Sequence, residues 1–203
     1  MKSAVWVMAA ALPLAAPPKL LINAQLDTRS AASGLEREFR PMVNAQTQPS
    51  WIGYTVPAAR SSGLGCESVS PDGRAAYGVV HLEPADQAVI LFRVESGAVS
   101  RIRALSAYCE IDAGGTPVHW LDEVRPAESV GLLESFAAPK SDESLRASAV
   151  AALAASTEPG ALDFLIGLAR KDQSPRIRRQ CVSVLARSRD PRATAFLEDL
   201  LKH

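Results

Sequence analysis

Aromatic residues make up only 5% of the 203 residues. That scarcity removes the stacking platforms on which single-stranded nucleic-acid binders rely. Net charge is absent as well, with 22 basic and 22 acidic side chains, so no global field draws the chain to nucleic acid or to an anionic membrane. Histidine occurs three times (His81, His119, His203), as does cysteine (Cys66, Cys109, Cys181). With no C-x-x-C and no nearby histidine pair, the spacing offers no metal site, and no metal or cofactor is expected. The motifs G-x-S-x-G, G-x-x-x-x-G-K, G-x-G-x-x-G and H-E-x-x-H are all missing, which withdraws the common hydrolase, nucleotide and zinc-protease readings. Gly114-Gly115-Thr116-Pro117 has no following lysine and opens no helix, so it reads as a turn rather than a phosphate loop.

One long apolar run is present, and it lies at the start. Met1-Lys2 precedes Ala4 to Ala16, interrupted only by Pro13. Its length suits a signal-peptide core and is short for a spanning helix, which needs about 20 apolar residues. Residues 1–18 are therefore read as a signal peptide, although no clean A-x-A triplet precedes Pro17-Pro18. The alternatives are an uncleaved membrane anchor or a ragged apolar terminus. Export to the periplasm or the medium suits the cysteines, because an oxidising compartment allows one bridge and one buried thiol. Cys66 and Cys109 lie outside the helical patterns and are predicted to pair.

Residues 19–124 read as an α+β unit, mostly β with one helix. Lys19 to Thr28 has strand character. Ser30 to Gln46 is predicted helical, with Leu35, Phe39, Met42 and Val43 on one face and Ser33 and Glu36 as a capping box. Trp51 to Val56 is a strand, Pro57 to Gly73 a loop carrying Cys66, and Ala75 to Leu82 another strand. Gln87 to Val94 and Ala98 to Leu105 form two strands joined at Glu95-Ser96-Gly97. The unbroken apolar character of the first suits a strand covered on both faces. Cys109 to Asp112 and Val118 to Leu121 add short strands.

From Pro126 onward only helices are expected, over 125–203, with proline at a first turn and Glu128 behind it. The breaks recur. Val150 and Val182, Leu153 and Leu185, Pro159 and Pro191, Phe164 and Phe196, and Leu168 and Leu200 each stand 32 positions apart, as do Arg146 and Arg178. A two-helix unit of that period is the mark of a solenoid. Ile177, Cys181, Val184 and Leu185 form one buried stripe, matched by Leu145, Ala149, Ala152 and Leu153. Ala149 and Cys181 are small where paired helices approach most closely. The same offset makes Pro126 to Ala137 a lone second helix that should cap the first repeat beside Ala161 to Lys171.

Asp172 to Leu201 resembles a bacterial HEAT-like repeat, through Pro175, Ile177-Arg178-Arg179, Cys181, Leu185, Asp190-Pro191-Arg192-Ala193 and Leu197. The chain departs from that pattern at Ala186 and Arg187, where glycine is usual, and at Glu158-Pro159-Gly160-Ala161, which replaces the Asp-Pro-Arg-Ala turn. The resemblance covers the last third, about two repeats, and implies a protein-binding scaffold. The remainder of the chain resembles the N-terminal part of exported bacterial proteins that contain HEAT repeats. The resemblance also implies that Arg178 pairs with a carboxylate in the adjacent helix or turn.

Candidate chemistry is thin. His119 with Asp122 and Glu123 is the one acid–base grouping to name, and an ordinary strand histidine is the favoured reading. Arg176, Arg178, Arg179, Arg187, Arg189 and Arg192 form the one basic concentration. Arg176, Arg179, Arg187, Arg189 and Arg192 are taken as candidates for contacting a partner protein, not nucleic acid. The expectation is an exported, non-enzymatic interaction module without membrane insertion, unless the signal is retained. The alternative is an enzyme or small-ligand domain over 19–124 with the repeats as a docking arm.

Overall fold

The computed structural model of the chain describes residues 21–59, 64–69, 75–77 and 86–202. The signal-peptide reading, His81 and His203 lie outside the described residues, as does part of the expected strand Ala75 to Leu82. The elements in chain order are β1 (Leu21–Ile22), β2 (Gln25–Ser30), α1 (Leu35–Ala45), β3 (Ser50–Pro57), β4 (Glu67–Val69), β5 (Ala75–Tyr77), β6 (Gln87–Glu95), β7 (Ala98–Ser106), β8 (Ile111–Asp112) and β9 (Pro117–Asp122). Helices α2 (Pro126–Ala137), α3 (Glu143–Leu153), α4 (Pro159–Lys171), α5 (Pro175–Leu185) and α6 (Pro191–Lys202) follow. The protein is α+β, with the sheet-rich region first and the helical run after it.

Five strands form the main sheet in the order β2-β9-β3-β6-β7. β9 enters between β2 and β3 and runs parallel to both, while β6 is antiparallel to β3 and to β7. β6 and β7 meet at a two-residue turn, Ser96-Gly97, where both residues have positive φ (51° and 74°), as a type I′ hairpin turn requires. β6 is buried from Ala88 to Val94, as its sequence predicts, because each face meets its own core. Ile90, Phe92 and Val94 face α1 and the helical run. Val89 and Leu91 face Trp51, Leu105, Ile111 and Trp120. The connection from β7 to β9 crosses this second face and buries Cys109, Ile111 and Ala113 in it. Gly53 makes the packing possible, because a Cβ there would stand 2.6 Å from Leu91 Cδ2 and 2.9 Å from Trp120 Cζ3.

Three local expectations are corrected. Helix α1 starts at Leu35, not Ser30, because the backbone up to Ala31 stays on β9, with Ala31 N–H donating to Asp122 C=O at 2.8 Å. Ser33 does not cap it: its hydroxyl donates to Glu38 at 2.6 Å, and the Leu35 amide is received by Glu128 of α2 at 3.3 Å. The segment Pro57 to Gly73 is not all loop, since β4 lies in it and pairs with β5. The Cys66 anchor beside β4 is a long-range restraint that a Ser- and Gly-rich composition does not signal.

The helical run follows the 32-residue pattern. Proline stands at the first turn of α2, α4 and α5, where its missing N–H costs nothing. Asp142 caps α3 and Ser174 caps α5. Ala154 and Ala186 end α3 and α5 with right-handed backbone (φ −64° at each), so neither position demands the glycine usual in such repeats. α2 meets α4 as the offset predicts, but packs more extensively on α3, and α3 in turn lies on β7. The cluster that holds α1 and the inner sheet face therefore continues through all five later helices. At the far end Phe196 is buried, while Leu200 is 48% and Leu201 87% exposed.

Candidate interaction surface

A polar network around the buried Arg146 and Asp172 joins α2, α3 and the α4–α5 turn. The Arg146 guanidinium donates to Ala137 C=O at 2.9 Å and to the Asp172 carboxylate. Asp172 also receives the Ser174 amide at 2.9 Å. Arg178, expected to pair with a carboxylate, donates instead to the carbonyls of Asp172 (2.7 Å) and Gln173 (3.3 Å). The arginine one repeat earlier, Arg146, makes the carboxylate pair. Two surface pairs, Arg192–Asp163 (2.9 Å) and Arg170–Asp199 (3.3 Å), tie α6 to α4.

The basic concentration read from the sequence is divided by α5. Arg176 and Arg179 lie in its first turns, and Arg176 faces Glu143 at 3.6 Å. Arg187, Arg189 and Arg192 lie at and beyond its other end, which over 11 residues is about 16 Å away. Arg192 is committed to Asp163 and Asp190, and its hydrogen bonds hold the Asp190 carboxyl below the usual range. Arg187 and Arg189 are exposed, and among the described residues neither has an ion-pair partner.

These two arginines border a cleft of about 340 Å³ between the α3–α4 turn and the α5–α6 turn. Its floor is apolar, made by Leu153, Leu162, Leu165, Val184 and Leu185, and its rim is Arg187, Arg189, Arg192, Glu158 and Asp190. A second cleft of about 280 Å³ opens between β7 and α3, walled by Ile102, Leu105 and Ala151. Arg187 borders both. The 32-residue offset places Arg187 after a helix end, but only the packing of α3 on the sheet puts it between two clefts.

The other sequence candidates fall elsewhere. Cys66 and Cys109 form a disulfide with Cα atoms 5.2 Å apart, at the second core, where Cys109 is fully buried. In this oxidised pair neither sulfur is free to act as a thiol nucleophile. His119 contacts Asp27 of the neighbouring strand β2 at 3.3 Å, not Asp122 or Glu123. The imidazole contact holds Asp27 below the ordinary carboxylate range. Glu123 receives the Ser30 hydroxyl. Asp122 is pushed up by burial and by the adjacent Glu123. Register in the sheet chose the histidine's neighbour, and register is not written in the sequence around His119. Cys181 is fully buried beside Arg146 and Asp172.

No curated protein and no solved structure matches the chain. A family model does match, over residues 128–203, and its description is HEAT repeats. The match takes in most of α2, which the 32-residue offset had assigned to the stack. Residues 128–203 are thus similar to HEAT repeats, and the helical pairing of α2 to α6 is consistent with that family.

Proposed function

We propose that the protein is an exported, non-enzymatic interaction module in which a disulfide-bearing unit over 19–124 carries HEAT repeats over 125–203, and that the repeats receive an acidic segment of another protein. HEAT repeats commonly mediate protein–protein interaction, which supports the general reading. The observation that carries the particular surface is the turn-edge cleft, apolar in its floor and edged by Arg187 and Arg189, which have no carboxylate partner among the described residues. An apolar floor supplies area, and unpaired guanidiniums at a rim select charge and geometry. Arg176 and Arg179, at the other end of α5, stand apart from this rim as a second basic group. The Cys66–Cys109 bridge supports an oxidising location. Among the described residues, no helix is long and apolar enough to cross a membrane.

The test is capture from an exported-protein fraction with the purified chain as bait, run beside Arg187→Glu/Arg189→Glu. A protein retained by the wild type and lost from the double variant, at equal melting temperature, is the expected result. Equal retention by both would remove the cleft from the proposal.

A further inference from the structure

The second unsatisfied surface is a sheet edge. β2 is the terminal strand beside β9, all six of its residues are exposed, and no described strand lies on its outer side. An open edge presents a row of unpaired N–H and C=O groups that can template another strand. Proteins usually protect such edges with proline, a bulge or charged side chains, lysine above all. Gln25-Leu26-Asp27-Thr28-Arg29-Ser30 has no proline, bulge or lysine, and its two charges, Asp27 and Arg29, are of opposite sign and lie 3.2 Å apart.

The direction of each backbone group along β2 follows from its register. The Ala31 amide donates inward to Asp122 C=O, and β2 pairs parallel to β9 from Gln25↔Pro117 to Ser30↔Asp122. Residues of odd number therefore point their N–H and C=O at β9. Leu26, Thr28 and Ser30 point theirs outward, because backbone groups alternate along a strand. Any antiparallel strand added here must pair its own outward residues with these three.

Two copies of β2 meet that condition, with more than one outward residue of each strand engaged, in three registers. One centred on Asp27 sets Asp27 against Asp27, and one centred on Arg29 sets Arg29 against Arg29. Like charges directly opposite are unfavourable. The register centred on Thr28 sets Asp27 of each copy against Arg29 of the other, twice over, with Thr28 opposite Thr28 and Leu26 opposite Ser30. It is also the only one of the three that engages every outward residue on both strands. In it, Thr28 and the Leu26–Ser30 positions form hydrogen-bonded pairs. The Asp27–Arg29 positions form the closer, non-hydrogen-bonded pairs, where side chains interact best.

We infer that β2 is a self-complementary edge and that the protein pairs with a second copy of itself through antiparallel β2–β2 contact centred on Thr28, joining two five-stranded sheets into one. The two-fold axis stands perpendicular to the sheet, so the pairing is closed and stops at two chains. The α1 side of one copy continues into the α1 side of the other. Leu26, 46% exposed in the single chain, lies against the partner's Thr28 and Ser30 rather than water.

Sedimentation of the wild type should show a dimer that dissociates on dilution. Arg29→Asp should lose it, because Asp27 then faces an aspartate. Asp27→Arg/Arg29→Asp should regain it, because the exchange restores opposite charges. All of these positions are exposed, and far-UV circular dichroism checks that each variant is folded. Cysteines at Asp27, Thr28 and Arg29, introduced one at a time and oxidised mildly, read the register. Thr28→Cys should give the covalent dimer, since Cα atoms about 5.5 Å apart in such a pair suit a disulfide. A wild type that sediments as a monomer throughout, or a charge-exchanged double variant no more dimeric than Arg29→Asp, would overturn the inference. So would cross-linking that favours Asp27→Cys or Arg29→Cys over Thr28→Cys.

Discussion

Tyr54 Oη and Ser129 Oγ lie 2.9 Å apart, both buried and 75 residues apart in sequence. The bond joins β3 of the sheet to α2 of the helical run, at the point where one apolar cluster passes from the first into the second. Burial pushes the Tyr54 phenol above its ordinary range. Tyr54→Phe leaves the Ser129 hydroxyl without this partner and should cost about 1–3 kcal/mol. Because the cluster is shared, tryptophan fluorescence from the sheet and far-UV ellipticity from the helices should melt together in the wild type. Two separated transitions would show that the halves fold independently.

The Arg146–Asp172 pair is buried and bonded to Ala137 C=O and the Ser174 amide. Arg146→Met strands a buried carboxylate and should cost about 3–5 kcal/mol. Arg146→Met/Asp172→Leu removes both charges and should recover part of that loss, despite losing the Ser174 contact. Denaturant unfolding measures both. A double variant less stable than the single one would mean that the pair is not the source of the cost.

The Cys66–Cys109 bridge closes a separation of 43 residues and pins the β7–β9 crossing onto the outer sheet face. On the chain-entropy model, Cys66→Ala/Cys109→Ala should lose about 4 kcal/mol. The check is the denaturation midpoint of this variant against that of the oxidised wild type. An unchanged midpoint, or free thiols at both positions in mass spectra of native protein, contradicts the assignment.

Cys181 of α5 and the small residue Ala149 of α3 are both fully buried in the shared cluster, and the two helices pack together. The Cys181 thiol is pushed up to about 12 by burial and by the charge of Asp172. A raised folded-state pKa means that the folded protein holds the proton more tightly than the unfolded chain. Stability is therefore complete below the unfolded thiol value, about 8.5, and declines as pH rises from there toward 12. Over that window the wild type should lose more stability than Cys181→Ala, which should itself be mild near neutral pH. Cys181→Arg should be severe, because it buries a second charge beside Arg146. Rapid labelling of Cys181 by a thiol reagent in the native state would refute its burial.

The helical run was legible in the sequence because its information is local. Apolar residues at helical spacing, proline at first turns and a 32-residue offset between Val150 and Val182 act within one or two turns of chain. They state the same structure again in the next unit. The double-sided burial of β6 was legible for a similar reason, since an unbroken apolar strand can satisfy itself only between two cores. The Cys66–Cys109 pairing followed from there being one pair outside the repeats.

What the sequence could not carry was long-range. The insertion of β9 between β2 and β3 rests on pairing across 92 residues to β2 and 67 to β3, and side-chain alternation looks the same in any strand order. That register gave His119 to Asp27 and sent the outward backbone groups of β2 to its even-numbered residues. Helix α1 takes its first amide partner, Glu128, from another helix, so the local capping pattern at Ser33 pointed to the wrong group. The six arginines are close in sequence, yet α5 stands between Arg176 and Arg189, and a helix separates its ends by its own length. Local periodicity determined which segments became helices and strands. Packing across the chain decided which edges and arginines were left open.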